Sequence, residues 1–175
     1  SIGGKKEASR RYGENQHPSA AFCKRASRPE MSVSSAALLE GGTAISFNNL
    51  LDVNAAFELV KEFKQPAAVV VIHRNPCGCA VDEDILEAYR KAYEGDVISA
   101  FGSVIALNRK VDVELARMIM ESYSRFGKAR GASGFFAEVI VAPKFEQEAV
   151  ELIRTLKAWG GRVRLMETGA IDRAK

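Results

Sequence analysis

His73 stands in the run Ile72-His73-Arg74-Asn75-Pro76-Cys77-Gly78, directly after the apolar, β-branched stretch Ala67-Ala68-Val69-Val70-Val71-Ile72. An imidazole titrates near neutral pH, so it can take or give a proton during a reaction. Open α/β sheets place ligands in the loops that leave the carboxyl ends of their strands, and this loop leaves such a strand. The same residue serves equally well as a loop histidine that only bonds its neighbours. Cys77 and Cys79 nearby raise the question of zinc, because zinc deaminases combine a histidine or cysteine with a Pro-Cys-x-x-Cys turn and a glutamate two residues after the histidine. Here a single residue separates the cysteines and Asn75 takes the glutamate's place, so no metal is expected.

Further polar groups fall into three stretches. Arg11-Tyr12-Gly13-Glu14-Asn15-Gln16-His17 brings a fixed cation, a stacking ring and a second imidazole together. Such a set suits a phosphorylated ligand with a planar base, although a solvated basic loop has the same composition. Ser46-Phe47-Asn48-Asn49-Leu50-Leu51-Asp52 precedes a helical pattern, where Asn48 or Asn49 would cap or meet an amide-bearing ligand and Asp52 is the expected cap. In Ser99-Ala100-Phe101-Gly102-Ser103, Gly102 would admit a ligand close to the backbone or simply mark a turn.

Alternating strands and helices must position these groups. Val53, Ala56, Phe57, Leu59, Val60 and Phe63 follow helical spacing from Asp52 until Pro66. The apolar run 67–72 predicts a strand buried on both faces, hence central in a sheet. A loop from His73 to Cys79, a helix over 84–93, a strand over 104–107 and a helix over 113–126 follow. A strand over 138–142, a helix over 146–159 stopped by Gly160-Gly161, and a strand over 163–166 complete the pattern. That alternation predicts a three-layer α/β/α sandwich around a mixed or parallel sheet, with residues 1–35 a basic segment and 36–175 a single domain.

Composition excludes several classes. With 175 residues and 47% hydrophobic side chains the chain can bury a core, and a net charge of +3 is too small to argue for nucleic acid. The start Ser1-Ile2-Gly3-Gly4-Lys5-Lys6 carries no signal-peptide run, and no apolar stretch reaches membrane length. Cys23, Cys77 and Cys79 form no even framework, so a reducing cytoplasm is expected, with no membrane partner.

Taken together, these stretches resemble the folate-dependent aminoimidazole carboxamide ribotide (AICAR) transformylase family, the formyl-transferring part of a bifunctional purine-synthesis enzyme. Arg11, Tyr12, Gly13, Asn15 and His17 match one family run; Asn48 to Asp52 match its Asn-Asn-Leu-Leu-Asp segment. His73, Asn75, Pro76, Cys77 and Gly78 match its histidine loop, Ser99, Phe101 and Gly102 its Ser-x-Phe-Gly turn, and Phe135 to Pro143 a further stretch. The resemblance runs from Arg11 to Met166 and implies a cytidine-deaminase-like fold without zinc. It implies that Arg11, Tyr12, His17, Asn49, Gly102 and Glu138 contact an AICAR-like ribotide, that His73 is catalytic and assists removal of the amine proton, and that 10-formyltetrahydrofolate is the formyl donor.

Two departures accompany it. The family places a lysine directly before the histidine, and here that position is Ile72. The family domain also includes a second, similar subdomain that this sequence does not contain, so a homo-oligomer or a separate chain carrying that half is expected. A non-catalytic nucleotide-binding or regulatory module derived from the enzyme is the alternative.

Overall fold

The computed structural model describes residues 36–171; Arg11, Tyr12 and His17 lie outside the described residues. In chain order the strands are β1 (Ala37–Leu38), β2 (Ala67–Ile72), β3 (Asn75–Val81), β4 (Ser103–Leu107), β5 (Ala137–Ala142) and β6 (Arg164–Glu167). The α-helices are α1 (Phe47–Val60), α2 (Ile85–Glu94), α3 (Val113–Met120) and α4 (Gln147–Leu156). The strands form one mixed six-stranded sheet in the order β1-β6-β5-β4-β2-β3.

β2 lies inside the sheet between β4 and β3, and its first five residues are fully buried, as an apolar, β-branched run requires. On one face its Val69 and Val71 join Val104, Val139 and Val141 beneath Val53, Ala56, Phe57 and Val60 of α1. On the other, Ala68, Val70, Ile105 and Ile140 pack against Tyr89 and Tyr93 of α2, Leu115 and Ile119 of α3, and Ile153 of α4. One helix therefore covers one face and three cover the other. This is an α/β fold.

Several expected boundaries move. Residues 75–79, expected as loop, belong to β3, which pairs antiparallel with β2. Pro76 and Gly78 disguise it, yet an edge strand accommodates proline because its outer backbone groups need no ladder partner. Gly78 is required for packing, since a Cβ there would lie 1.8 Å from the backbone oxygen of Ala92 in α2.

α1 begins at Phe47 rather than at Asp52, with Ser46 as its cap. The Ser46 Oγ accepts from the Asn49 backbone N–H at 3.1 Å and donates to the Asn49 Oδ1 at 2.9 Å, an exchange resembling a capping box. The helix expected over 113–126 leaves α-geometry after Met120 and continues as a wider π-turn over Tyr123–Gly127. Ser122 sits at this change, its hydroxyl bonding carbonyls of the preceding turn, Met118 and Ile119, and sharing a 2.6 Å hydrogen bond with the buried Tyr89 hydroxyl. No helix among the described residues is long and apolar enough to cross a membrane.

Candidate functional site

β2 runs antiparallel to β4, whereas β4, β5 and β6 are mutually parallel. The carboxyl end of β2 therefore adjoins the amino ends of β4 and β5. This corrects the positional argument for His73: the histidine sits where the parallel strands begin, opposite the end at which parallel α/β sheets ordinarily bind ligands.

The register nevertheless gathers four of the seven expected site residues at that one end. Val71 pairs with Val104, so His73 and Gly102 each lie two residues beyond a shared rung. Ser103 pairs with Ala137, which puts Glu138 at the start of the next strand, about 10 Å from the β2 row at the usual strand spacing. Asn49 lies in the first turn of α1, and that helix is tied to the same end through Asp52, whose Oδ1 accepts the Arg74 backbone N–H at 2.6 Å.

Two irregularities in the ladder sharpen this end. Between Val70 and Val71 the pairing skips Cys77, and between Ser103 and Val104 it skips Glu138. Each skipped residue is the extra residue of a β-bulge, a device that re-aims a side chain and is frequent beside functional sites. The turn carrying His73 is unusual as well. His73 (φ 51) and Arg74 (φ 62) are both left-handed, a conformation that costs about 1–2 kcal/mol for each residue bearing a Cβ. Strain of that kind persists only where its surroundings impose it. His73 is exposed.

The remaining polar groups divide their bonds. The Asn49 Oδ1 accepts the Ser46 hydroxyl, which leaves its second lone pair and its N–H2 to meet a ligand. Gly102 is left-handed (φ 78), and its N–H donates to the Phe136 carbonyl at 2.9 Å; a Cβ would meet the Phe136 ring at 3.2 Å. Its turn role is thus real, whatever it does for a ligand. Phe136 in turn meets Phe101 edge-on, with centroids 4.8 Å apart.

Sequence reasoning missed Arg164. Its guanidinium donates to the Glu138 Oε2 at 2.6 Å, to the Thr43 carbonyl at 3.1 Å and to the Ala44 carbonyl at 2.7 Å, with only 12% of its side chain exposed. It therefore fixes Glu138 and the lead-in to α1 together. The available signal was an arginine followed directly by the apolar pair Leu165 and Met166. Arg164→Ala should lower stability by about 1–2 kcal/mol, because a half-buried carboxylate and two carbonyls lose a well-ordered, charged donor. Urea denaturation should show the loss as a lower midpoint at unchanged slope.

The Cys77 thiol is buried and donates to the Val70 carbonyl at 3.5 Å. Burial, helped by the neighbouring Asp96 carboxylate, pushes its pKa from the ordinary 9.0 up to about 12. At pH 8 the thiolate is then about one part in 10,000, so iodoacetamide should leave Cys77 unmodified in the native chain and label it in urea. Folding binds this proton more tightly, so the group's contribution to stability is complete below pH 9 and falls as pH rises towards 12. Rapid labelling of native Cys77 would contradict this environment. Among the described residues no cluster of three or more His, Cys, Asp or Glu side chains could hold a metal ion.

A concavity lined by Ala37, Pro143, Lys144, Glu167, Thr168 and Gly169 opens at the carboxyl ends of β5 and β6. It lies at the opposite end of the sheet from His73, and Glu167 there is engaged as acceptor of the Phe145 N–H at 2.9 Å. The bulges, the strained turn and the converging polar groups favour the His73 end as the site.

The fold is that of a mixed-sheet α/β protein, with several polar residues gathered where its parallel strands begin, among them a histidine on a hairpin turn. The family model described as AICARFT/IMPCHase bienzyme matches residues 1–175, and the chain belongs to that family. Similar proteins include the bifunctional purine biosynthesis protein PurH of Sorangium cellulosum (strain So ce56), 45% identical over 162 residues, 92% of this chain and 28% of the relative. The protein of the same name from Magnetococcus marinus (strain ATCC BAA-1437 / JCM 17883 / MC-1) is 49% identical over 155 residues, 87% of this chain and 26% of the relative. The chain thus spans just over a quarter of the length of these relatives.

Proposed function

We propose that this chain supplies part of the ribotide site and the proton acceptor for formyl transfer from 10-formyltetrahydrofolate to the 5-amino group of AICAR, in cytoplasmic purine synthesis. The observation that carries the reading is the convergence of Asn49, His73, Gly102 and Glu138 on one end of the sheet, two of them on a strained turn and a bulge. Arg11, Tyr12 and His17 complete the proposed ribotide contacts, Arg11 through the phosphate.

The substrate amine is a weak nucleophile, because its lone pair is drawn into the imidazole ring and the carboxamide. Holding it against the formyl carbon and removing its proton are therefore the two tasks of the site. As the amine nitrogen bonds to the formyl carbon, the bond from that carbon to folate N10 breaks. One amine proton passes to His73, and the imidazolium returns a proton to N10 as that nitrogen leaves, so the transfer is proton-neutral overall. The Glu138 carboxylate, held by Arg164, orients the ribotide.

Phe47, Ile98 and Phe101 are exposed apolar residues at this end of the sheet, 73%, 65% and 51% accessible. They support association with a second subunit or with the subdomain that carries the folate contacts. One observation favours a second reading, a nucleotide-binding module without catalysis: Ile72 stands where the family's lysine would help protonate the leaving group. The experiment combines the chain with that subdomain, adds AICAR and 10-formyltetrahydrofolate, and follows tetrahydrofolate release. Release that depends on both substrates supports transfer; ribotide binding without release supports the module.

A further inference from the structure

We propose that Asp52 is a positioning residue for His73, holding the turn that presents the imidazole in a conformation its own residues disfavour. The idea deepens the assignment of His73 as proton acceptor and rests on it. His73 and Arg74 form the two-residue connection of a hairpin closed by the Ile72 to Asn75 pair, and both have positive φ, 51 and 62. Hairpin turns of this shape favour Asn-Gly, because both central residues are left-handed. This sequence puts two long side chains there instead, so the turn needs an external hold.

Asp52 provides it. Its Oδ1 accepts the Arg74 N–H at 2.6 Å, a charge-assisted bond to the backbone of the strained residue. The carboxylate is offered from a rigid base: the adjoining Val53, Ala56 and Phe57 of α1 are fully buried against the sheet. Asp52 acts through the turn, and its effect on chemistry is where His73 stands.

The test uses the full chain, labelled with 15N and 13C. The three-bond HN–Hα couplings of His73 and Arg74 report their φ angles, and the exchange rate of the Arg74 amide reports the hold. In Asp52→Ala, Arg74 exchange should rise about tenfold and the His73 coupling should shift towards the extended value. Asp52→Asn should keep both near wild type, because an amide oxygen still accepts. Adding Arg74→Gly to Asp52→Ala should restore the turn, because glycine takes positive φ without strain. Added AICAR should shift the His73 ring signals in the wild type, in Asp52→Asn and in the rescued double variant, and less in Asp52→Ala. Wild-type couplings and unchanged Arg74 exchange in Asp52→Ala would overturn the proposal. If the turn responds as stated while AICAR moves the His73 ring in no variant, the hold by Asp52 stands and the assignment of His73 to the ribotide site falls.

Discussion

Replacing His73 by alanine in a transformylase that contains this chain lowers kcat for formyl transfer by about 100- to 10,000-fold, the usual worth of a positioned general base. KM for AICAR should stay within about a factor of two, because the imidazole is assigned to the transition state rather than to ground-state binding. The structure makes the variant interpretable. His73 is exposed on a turn and contributes nothing to either buried cluster, so its loss leaves the core intact. Alanine keeps the strain of a left-handed Cβ residue, which would blur a small effect. His73→Asn separates the two contributions, because asparagine tolerates positive φ better while providing no base. Equal losses in the two variants assign the effect to the missing imidazole. A kcat unchanged in both would remove His73 from the chemistry.

Ile72→Lys is expected to act in the opposite direction, raising kcat about 100-fold by returning a cation beside the histidine to assist the leaving folate nitrogen. Ile72 closes β2, is only partly buried, and packs on the cluster beneath α2 and α3. A lysine there can lay its methylenes along the same surface and carry its ammonium out to solvent. The cost in stability should be about 1 kcal/mol, the scale of losing part of one buried branched side chain. A thermal midpoint measured alongside the rate keeps that cost apart from the gain. Absence of any rate increase in a well-folded Ile72→Lys protein would favour the binding-module reading, in which the rest of the machinery has also been lost.

What could be read in the residues, and what could not, follows from the range of the signal. The β2 run declares itself because six consecutive apolar residues have no other comfortable place than the middle of a sheet. β3 does not, because Pro76 and Gly78 carry loop signals that its edge position and its closeness to α2 override. The start of α1 is hidden because Phe47 and Leu50 face solvent and break the apolar period, while Ser46 does the capping from outside it. β1, two residues long, is too short to show any period. His73 was legible as a residue type at a strand end, but the direction of β2 against its neighbours was not, and that direction decides which end of the sheet it occupies. The bulge at Glu138 and the ties from Asp52 to Arg74 and from Arg164 to Ala44 join residues distant in sequence, so no local pattern announces them.

The most direct test is a titration of AICAR into the 15N-labelled chain, followed by amide chemical shifts. The two ends of the sheet carry distinct sets of residues, so the outcome is geometric. The account predicts saturable shifts at Asn49, His73, Gly102 and Glu138, with Pro143's neighbours Ala142 and Lys144, and Thr168 and Gly169 at the far cavity, unmoved. Shifts confined to Lys144, Glu167, Thr168 and Gly169, with the His73 end silent, would place the ribotide at the carboxyl ends of β5 and β6 and contradict it.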